Sequence, residues 1–593
     1  MVILDTEIYP NYFLASFLNT ETGKIKHYEL YENHPLDIRG ILSIMSKYVT
    51  LGFNSNKFDI PILVGAVRDW DNRKIKSLSD NIILNNLPLH RIARDYNITK
   101  PDNWNHIDII EVAIGKASLK IYGARLHQNK LQDLPIAPDE VLTRKQMLAI
   151  RDYCENDLHT TAALYESLKP QIALRESMSE QYNLDLRSKS DAQIAEAVIV
   201  SELKKLTGND YRRQGVKDGE TYKYSDPKII KFKSPELTKL FARILQTDFE
   251  IGATGSIVLP EWVKEYDLRI NGTKYNLGIG GLHSCEKSQF IKADENNLLI
   301  DLDVASYYPN IILQQRISPK NMGAPFLKVY QSIVDRRLKA KRSGDKVTAD
   351  VLKICVNGSF GKLGSKYSTL YAPELLIQTT ITGQLALLML IERFELAGIK
   401  VVSANTDGVV MHCSKDKERV LEEIAFDWML DTSFELERTN YKVLASRDVN
   451  NYIAVKIDGK TKGKGLYATP SLSKNPDFII CCEAVAKFIA EGASISKTIY
   501  ECKDIRKFVS VRKVTGGAEW RGEYLGKAVR FYKSIDVGQD ETINYVKNSN
   551  KVPNSNGVRP LMELPEQFPA DVNHDFYINR AKEYLAETGW KDA

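Results

Sequence analysis

With 593 residues, 43% of them hydrophobic and 26% charged, the chain is long enough for several domains and too apolar for wholesale disorder; its 34 Gly and 21 Pro exclude collagen-like and mucin-like architecture. The 81 basic and 76 acidic residues leave a net charge of +5, too small over this length to identify a nucleic-acid partner, so local patches must decide that question. Seven cysteines, an odd number with no C-x-x-C pair, argue against a disulfide framework or a cysteine-built zinc site and fit a reducing, cytoplasmic setting.

The chain opens MVILDTEIYP, where Asp5 and Glu7 interrupt the apolar stretch that a secretory leader needs, so none is expected. Strand patterns at 2–4, 12–17 and 24–28 predict an antiparallel hairpin or meander. Alternation puts Asp5 and Glu7 on one face of the first strand. Asp59 follows in GFNSNKFDIP, and helical periodicity then runs from 143 to 168, where Tyr153 and Asp157 lie four apart and share a face. A second helix is predicted over 190–206, with Ser190 and Gln193 as a capping box. The Lys-rich stretch 211–236 reads as a linker or exposed insertion. The apolar run 385–391 (LALLMLI) is stopped by Glu392 and Arg393, far short of the roughly 20 residues a bilayer requires, and reads as a buried helix. No membrane partner is expected.

Clustered carboxylates are a usual way to hold Mg²⁺, which takes oxygen ligands, and two such ions suit phosphodiester chemistry. Each piece alone is commonplace, since a D-x-E near a strand end is usually solvated charge. Taken in order, however, D-x-E in LDTEIYP, N-x-x-x-F-D-x-P in 54–61 and Y-x-x-x-D in 153–157 resemble the three exonuclease motifs of proofreading DNA polymerases. That resemblance implies an RNase H-like sheet with Asp5, Glu7, Asp59 and Asp157 as metal ligands. It also implies that Tyr153 orients the attacking water and Asn54 contacts the substrate strand.

Further along, 298–312 (LLIDLDVASYYPNII) is an apolar strand ending in Asp303, followed by Tyr307, Tyr308 and Pro309. The stretch 328–366 carries ten basic residues against three acidic, and in it Arg337 and Lys341, then Lys353 and Asn357, are spaced for helical faces that could grip a triphosphate. VVSANTDGVVMH reads by itself as a hairpin around Asn405-Thr406-Asp407-Gly408. Together these elements resemble the motifs of family B DNA polymerases: D-x-x-S-L-Y-P in 303–309, K-x-x-x-N-S-x-Y-G in 353–361 and D-T-D in 405–407. The compact, viral-type members are those it resembles most.

The resemblance implies a mixed α/β and α+β multidomain chain: an exonuclease domain (1–170), a connector (171–290), a palm (291–327 and 363–465) interrupted by a fingers hairpin (328–362), and a thumb (466–593). Asp303 and Asp407 would hold two Mg²⁺ ions, with Mn²⁺ as a substitute. Tyr308 would exclude a 2′-hydroxyl, Arg337, Lys341 and Lys353 would bind the incoming dNTP, and Asn357 and Phe360 would line the nascent base pair. Departures are Asn405 for the first Asp of D-T-D, Gly358 for Ser, Phe360 for Tyr, and Asn450 for the lysine of the K-x-Y motif that ends at Tyr452. Lys462 or Lys464 could supply the missing charge. Gly280 and Gly281 keep the paired glycines of the Y-x-G-G element, where backbone approaches template phosphates.

Across 502–534, nine basic and three acidic residues interleave with Phe508, Trp520, Tyr524, Phe531 and Tyr532, which suits a thumb following primer-template DNA; a plain surface strand pair is the bland alternative. Only 54 residues separate Asp303 from Asn357 and 47 separate Phe360 from Asp407, leaving little room for the inserted subdomains of protein-primed relatives. A monomer without a terminal protein, with processivity resting on the thumb or a separate factor, is therefore expected. If viral, it would work in the host cytoplasm. A rival reading takes Asn405 as the mark of a decayed site in a pseudo-polymerase acting only as an exonuclease or DNA-binding scaffold. A reverse transcriptase is disfavoured by Tyr308 and the exonuclease motifs.

Overall fold

Apolar residues at both phases of the opening strand require a sheet covered on both faces. β1 (Val2–Tyr9) pairs antiparallel with β2 (Tyr12–Asn19), which pairs with β3 (Ile25–Leu30), while β4 (Thr50–Gly52) and β5 (His106–Asp108) add in parallel, giving the order β3-β2-β1-β4-β5. Val2, Leu4 and Ile8 pack with Ile62 and Leu78 on one face. On the other, Ile3 meets Leu158 and Leu164, and Tyr9 meets Ile150 and Cys154. The odd positions of β1, Asp5 and Glu7 among them, therefore share the face covered by the long helix.

This is the computed structural model of the chain, and it describes residues 1–216 and 218–591. The chain divides into two compact units, one of Met1–Ser190, Pro470–Ile480 and Cys502–Tyr577, the other of Asp191–Thr469, Cys481–Glu501 and Ile578–Ala593. In the first unit, α1 (Asp59–Ala66) and α2 (Leu119–Arg125) precede the long helix α3 (Arg144–Tyr182). α3 starts at a capping box in which the Gln146 N–H donates to Thr143 Oγ1 and the Thr143 N–H donates to Gln146 Oε1. The periodic stretch 143–168 understates it, because the buried face continues beyond Leu168 through Ile172, Arg175, Met178 and Tyr182. A boundary at 170 thus falls inside a continuous helix, and the unit runs on to Ser190.

The stretch 466–593 contributes to both units rather than to one. Within the first, Ser510–Trp520 and Glu523–Lys533 form an antiparallel hairpin. Five of its region's nine cations are already committed: Arg506 pairs with Asp504, Arg512 with Asp477 and Arg521 with Glu541, while buried Arg530 donates to the carbonyls of Gln128, Asn129 and Leu561, and buried Lys533 to that of Asn556. Arg530 and Lys533 are therefore internal to the unit, whereas Arg506 and Arg521 remain on its surface in ion pairs.

In the second unit, α4 (Asp191–Thr207) begins where the expected cap lies. β6 (Asn297–Val304) is followed by α5 (Tyr307–Gln314), then the helical hairpin α6 (Gly323–Ser343) and α7 (Lys346–Leu363), then α8 (Pro373–Leu396). The hairpin turns at Gly344, whose φ of 76° ends α6 in the left-handed region that glycine adopts without strain, and Asp345 caps α7 by accepting from the Thr348 N–H. β7 (Lys400–Asn405) and β8 (Gly408–Ser414) form the second hairpin; β9 (Leu436–Asp448), β10 (Asn451–Lys456) and β11 (Thr461–Lys464) complete the order β11-β10-β9-β6-β8-β7, which continues through 283–284, 273–276 and 268–270. α8 has the length and composition of a membrane span, but 83% of its apolar window is buried, and Leu385 to Ile391 are fully covered by the unit's own core.

One expectation is corrected here, and one departure from the motif is explained. The stretch 211–236, of which Lys217 lies outside the described residues, is not a linker. Buried Tyr224 and Ile230 enter the core, the Tyr224 hydroxyl bonds Thr382, and Ser225 exchanges two hydrogen bonds with the Gln378 side chain of α8. Gly358, which departs from the serine of the resembled motif, has a packing reason: a Cβ there would lie 2.7 Å from the Asp191 carbonyl oxygen and 3.0 Å from Ala195 Cβ. The close approach of α4 to α7 leaves no space for a side chain. Gly358→Ser is expected to cost about 1–3 kcal/mol of stability by overpacking, read as a lower thermal midpoint; an unchanged midpoint would show that α4 yields without cost.

Candidate active sites

In the first unit the strand periodicity of β1 and the helical spacing of α3 bring together every carboxylate singled out from the motifs. Asp5 and Glu7 are half-buried, and with Cys154 of α3 their ligand atoms lie within 4.8 Å of one another. Asp59, at the start of α1, accepts a 2.6 Å hydrogen bond from the Thr6 hydroxyl. Burial first, then the charges of Asp59, Glu7 and Asp157, hold the Asp5 carboxyl well above its ordinary range; burial and Asp157 do the same for Glu7, and burial pushes Asp59 up to about 7. Burial likewise raises Asp157, against the opposing charge of Lys120. Four acids that resist ionisation side by side make a hard oxygen donor set that a divalent cation such as Mg²⁺ would relieve, so the residues fit that ion.

Two neighbours carry no motif signal. The Lys120 ammonium on α2 donates to the Tyr153 hydroxyl, sits 4.5 Å from that ring's centroid and pairs with Asp133 at 3.1 Å. Because Lys120 occupies the phenol oxygen as donor, the Tyr153 proton is directed to Asp157. The Cys154 thiol donates to Asp5 Oδ2 at 3.5 Å, and burial raises it, which keeps it a thiol. Asn54 occupies the left-handed region (φ 60°) in the turn after β4, with its N–H held by Asp108 Oδ1 at 2.9 Å.

These shifts set a sign. A carboxyl whose folded pKa is raised binds more protons folded than unfolded, so it lowers stability as pH climbs from the ordinary carboxylate range to about 7, the value for Asp59. In chelator, the midpoint of the unit's thermal transition should therefore fall between about pH 4 and 7. Added Mg²⁺ should raise it, and more at pH 8 than at pH 6, because the ion competes with protons for the same oxygens. A stabilisation independent of pH would argue against binding at these carboxylates.

In the second unit a cavity of about 450 Å³ is lined by Asp303 of β6, Asn405, Thr406, Asp407 and Gly408 of the β7–β8 hairpin, Tyr441 of β9, Tyr452 of β10, and Lys462 and Lys464 of β11, with Asp301 beside them. Register explains the meeting of the two acids, since Asp303 lies opposite Gly408. A Cβ at 408 would come within 2.3 Å of Asp303 Oδ1, so glycine leaves the carboxylate its place. Burial, then Asp301, push Asp303 up to about 6, with Lys462 opposing; burial also raises Asp407. Asn405 is held by its neighbours: its amide donates to the Val449 carbonyl at 3.3 Å and its oxygen accepts from Thr406 at 3.1 Å. An aspartate there would set a carboxylate against the Val449 carbonyl, which is a structural reason for the amide.

The other singled-out residues surround this cavity unevenly. Tyr308 stacks on Phe360 with centroids 4.3 Å apart, and its hydroxyl donates to the Gly280 carbonyl at 2.9 Å. Gly281 backs onto Thr406. Arg337 donates to Ser306 Oγ at 3.0 Å, at the turn into α5. Lys341 is turned aside to Glu437 at 3.3 Å, while Lys353 and Asn357 stand exposed one turn apart on α7. Asp301, which the motifs pass over, is 4% exposed and accepts from the Tyr441 hydroxyl and from Lys462 at 3.3 Å.

No protein-family model matches this chain. A stretch of 141 residues, 23% of the chain, is 28% identical to DNA polymerase 1 of Sulfolobus acidocaldarius over 16% of that protein, and DNA polymerase 1 of Sulfurisphaera ohwakuensis matches at the same identity and coverage. A stretch of 341 residues, 47% of the chain, is 20% identical to DNA polymerase 2 of Aeropyrum pernix over 41% of its length. These matches span less than half of each curated relative. Among solved structures, the family B DNA polymerase of the hyperthermophilic archaeon Pyrobaculum calidifontis aligns with 100% of this chain and 78% of that one, at 15% identity and a TM-score of 0.44. In sequence, then, parts of this chain are similar to archaeal DNA polymerases.

Proposed function

We propose that the chain is a DNA-directed DNA polymerase of family B, of the compact viral kind, with its own 3′→5′ proofreading exonuclease. The observation that carries this reading is the gathering of motif carboxylates at two separate places, Asp5, Glu7, Asp59 and Asp157 in one unit and Asp303 and Asp407 in the other. Similarity of parts of the chain to DNA polymerases supports it. The sheet order β3-β2-β1-β4-β5 supports an RNase H-like exonuclease domain, and the α6–α7 hairpin supports fingers between two palm segments, with the thumb within 466–593.

At the synthetic centre, Mg²⁺ held by Asp303 and Asp407 would activate the primer 3′-hydroxyl and offset the charge of the triphosphate. The chain supplies the rest. Tyr308, clamped by Phe360 and the Gly280 carbonyl, forms a rigid wall under the sugar, which disfavours a ribose. Lys353, exposed on α7, and Arg337, beside the Ser306 turn, offer cations to the triphosphate, whereas Lys341 would first have to leave Glu437. At the degradative centre, Lys120 donates to the Tyr153 oxygen and the Tyr153 hydroxyl donates a hydrogen bond to Asp157, so the fixed phenol can orient a water toward the 3′-terminal phosphodiester.

Priming is proposed to start from an ordinary nucleic-acid 3′-end, because α5, α6 and α7 fill the interval from Asp303 to Asn357, and α8 and β7 fill most of that from Phe360 to Asp407. The test is a 5′-labelled primer on a longer template with Mg²⁺. Template-length products with dNTPs and shortening without them are expected. Shortening alone, under Mg²⁺ and under Mn²⁺, would leave only an exonuclease.

A further inference from the structure

Asp301 is a carboxylate that the reading above does not use. It lies two residues before Asp303 on β6, and so on the same face of the strand, but deeper: its side chain is 6% exposed, while that of Asp303 keeps 47%. A buried carboxylate needs donors, and it has two, the Tyr441 hydroxyl and the Lys462 ammonium at 3.3 Å. Lys462 also donates to Tyr441 at 3.3 Å, closing a three-membered network, and its nitrogen stands 3.9 Å from Asp303 Oδ2. The ammonium thus has two acidic neighbours, and the nearer one is Asp301.

We infer that Asp301 is a positioning residue which, with Tyr441, anchors the Lys462 ammonium beside Asp303 and so keeps the Asp303 oxygens available. The inference rests on the proposed synthetic centre for the role of Asp303. Its logic is competition: an ammonium without Asp301 has Asp303 as its nearest carboxylate and closes on it as a salt bridge, opposing any cation that Asp303 would bind. With Asp301 in place, Lys462 stays charged and fixed on the cavity wall, where an anionic strand entering the cavity meets it. Asn450 stands where the resembled K-x-Y motif has its lysine, and Lys462, not Lys464, is the one tied into the network.

The test uses Mn²⁺ binding read by electron paramagnetic resonance, in the full chain carrying Asp5→Ala and Glu7→Ala so that the other centre does not contribute, and without DNA or nucleotides. Asp301→Asn should weaken Mn²⁺ binding by about ten-fold, the usual size of an outer-partner effect. Lys462→Met should not weaken it, and Asp301→Asn combined with Lys462→Met should bind as Lys462→Met alone does, because the competitor is gone. A double variant as weak as Asp301→Asn would overturn the inference and make Asp301 a ligand or a purely structural group. So would wild-type binding in Asp301→Asn. Should Asp301→Asn fail to fold, Tyr441→Phe removes one tie only and should weaken binding by about three-fold, again relieved by Lys462→Met; no change, or no relief, would contradict the anchor. Since no synthesis is measured, these outcomes stand apart from success or failure of the polymerase reading.

Discussion

Asp407→Ala should abolish primer extension, by a factor on the order of a thousand or more, while leaving primer degradation near the wild-type rate. Asp303→Ala should do the same. Both carboxylates line the cavity beside the β7–β8 hairpin of the second unit, whereas Asp5, Glu7, Asp59 and Asp157 belong to the first. Gel analysis of a labelled primer with and without dNTPs reads both activities in one tube. Loss of both in a variant that melts like the wild type would mean that the two reactions share a centre, and the assignment of one chemistry to each unit would be wrong.

The reciprocal variant, Asp5→Ala with Glu7→Ala, should remove degradation to a similar degree and keep extension. It should also raise the thermal midpoint of the metal-free chain. Burial and mutual repulsion hold Asp5 and Glu7 above the usual carboxylate range, so ionising them at neutral pH opposes folding, and their removal relieves that strain. The Mg²⁺-dependent stabilisation of this unit should shrink at the same time. A lower midpoint, with degradation lost, would instead indicate that the acids serve the fold.

Legibility in the sequence followed the range of the signal. The i, i+2 rule that puts Asp5 and Glu7 on one face of β1 needs no tertiary information, and neither does the i, i+4 rule behind Tyr153 and Asp157. The same strand rule pairs Asp301 with Asp303, so Asp301 is legible too, though nothing local tells that it is buried between Tyr441 and Lys462. Lys120 is different: a lone lysine on a seven-residue helix has no pattern, and its reach to Tyr153 exists only once α2 and α3 have packed. Charge counting at 502–534 is incomplete for a related reason. It registers nine cations but not their partners, and Arg530, the most buried of them, is a carbonyl-binding core residue. At 211–236 the lysines masked Tyr224 and Ile230, which decide the packing of that stretch.

The central claim is that two opposed reactions act on one DNA 3′-end within one chain, and turnover of a single nucleotide tests it most directly. With a primer-template and only the dNTP complementary to the next template base, insertion and removal should alternate and convert dNTP to dNMP continuously, at fixed primer length. With the label in the dNTP alone, the wild-type chain should release labelled dNMP in a template-dependent manner. Asp407→Ala should release no labelled dNMP, although it still shortens the unlabelled primer, and Asp5→Ala with Glu7→Ala should release none because the inserted nucleotide stays in the primer. Labelled dNMP without template, or from the Asp407→Ala chain, would contradict the account.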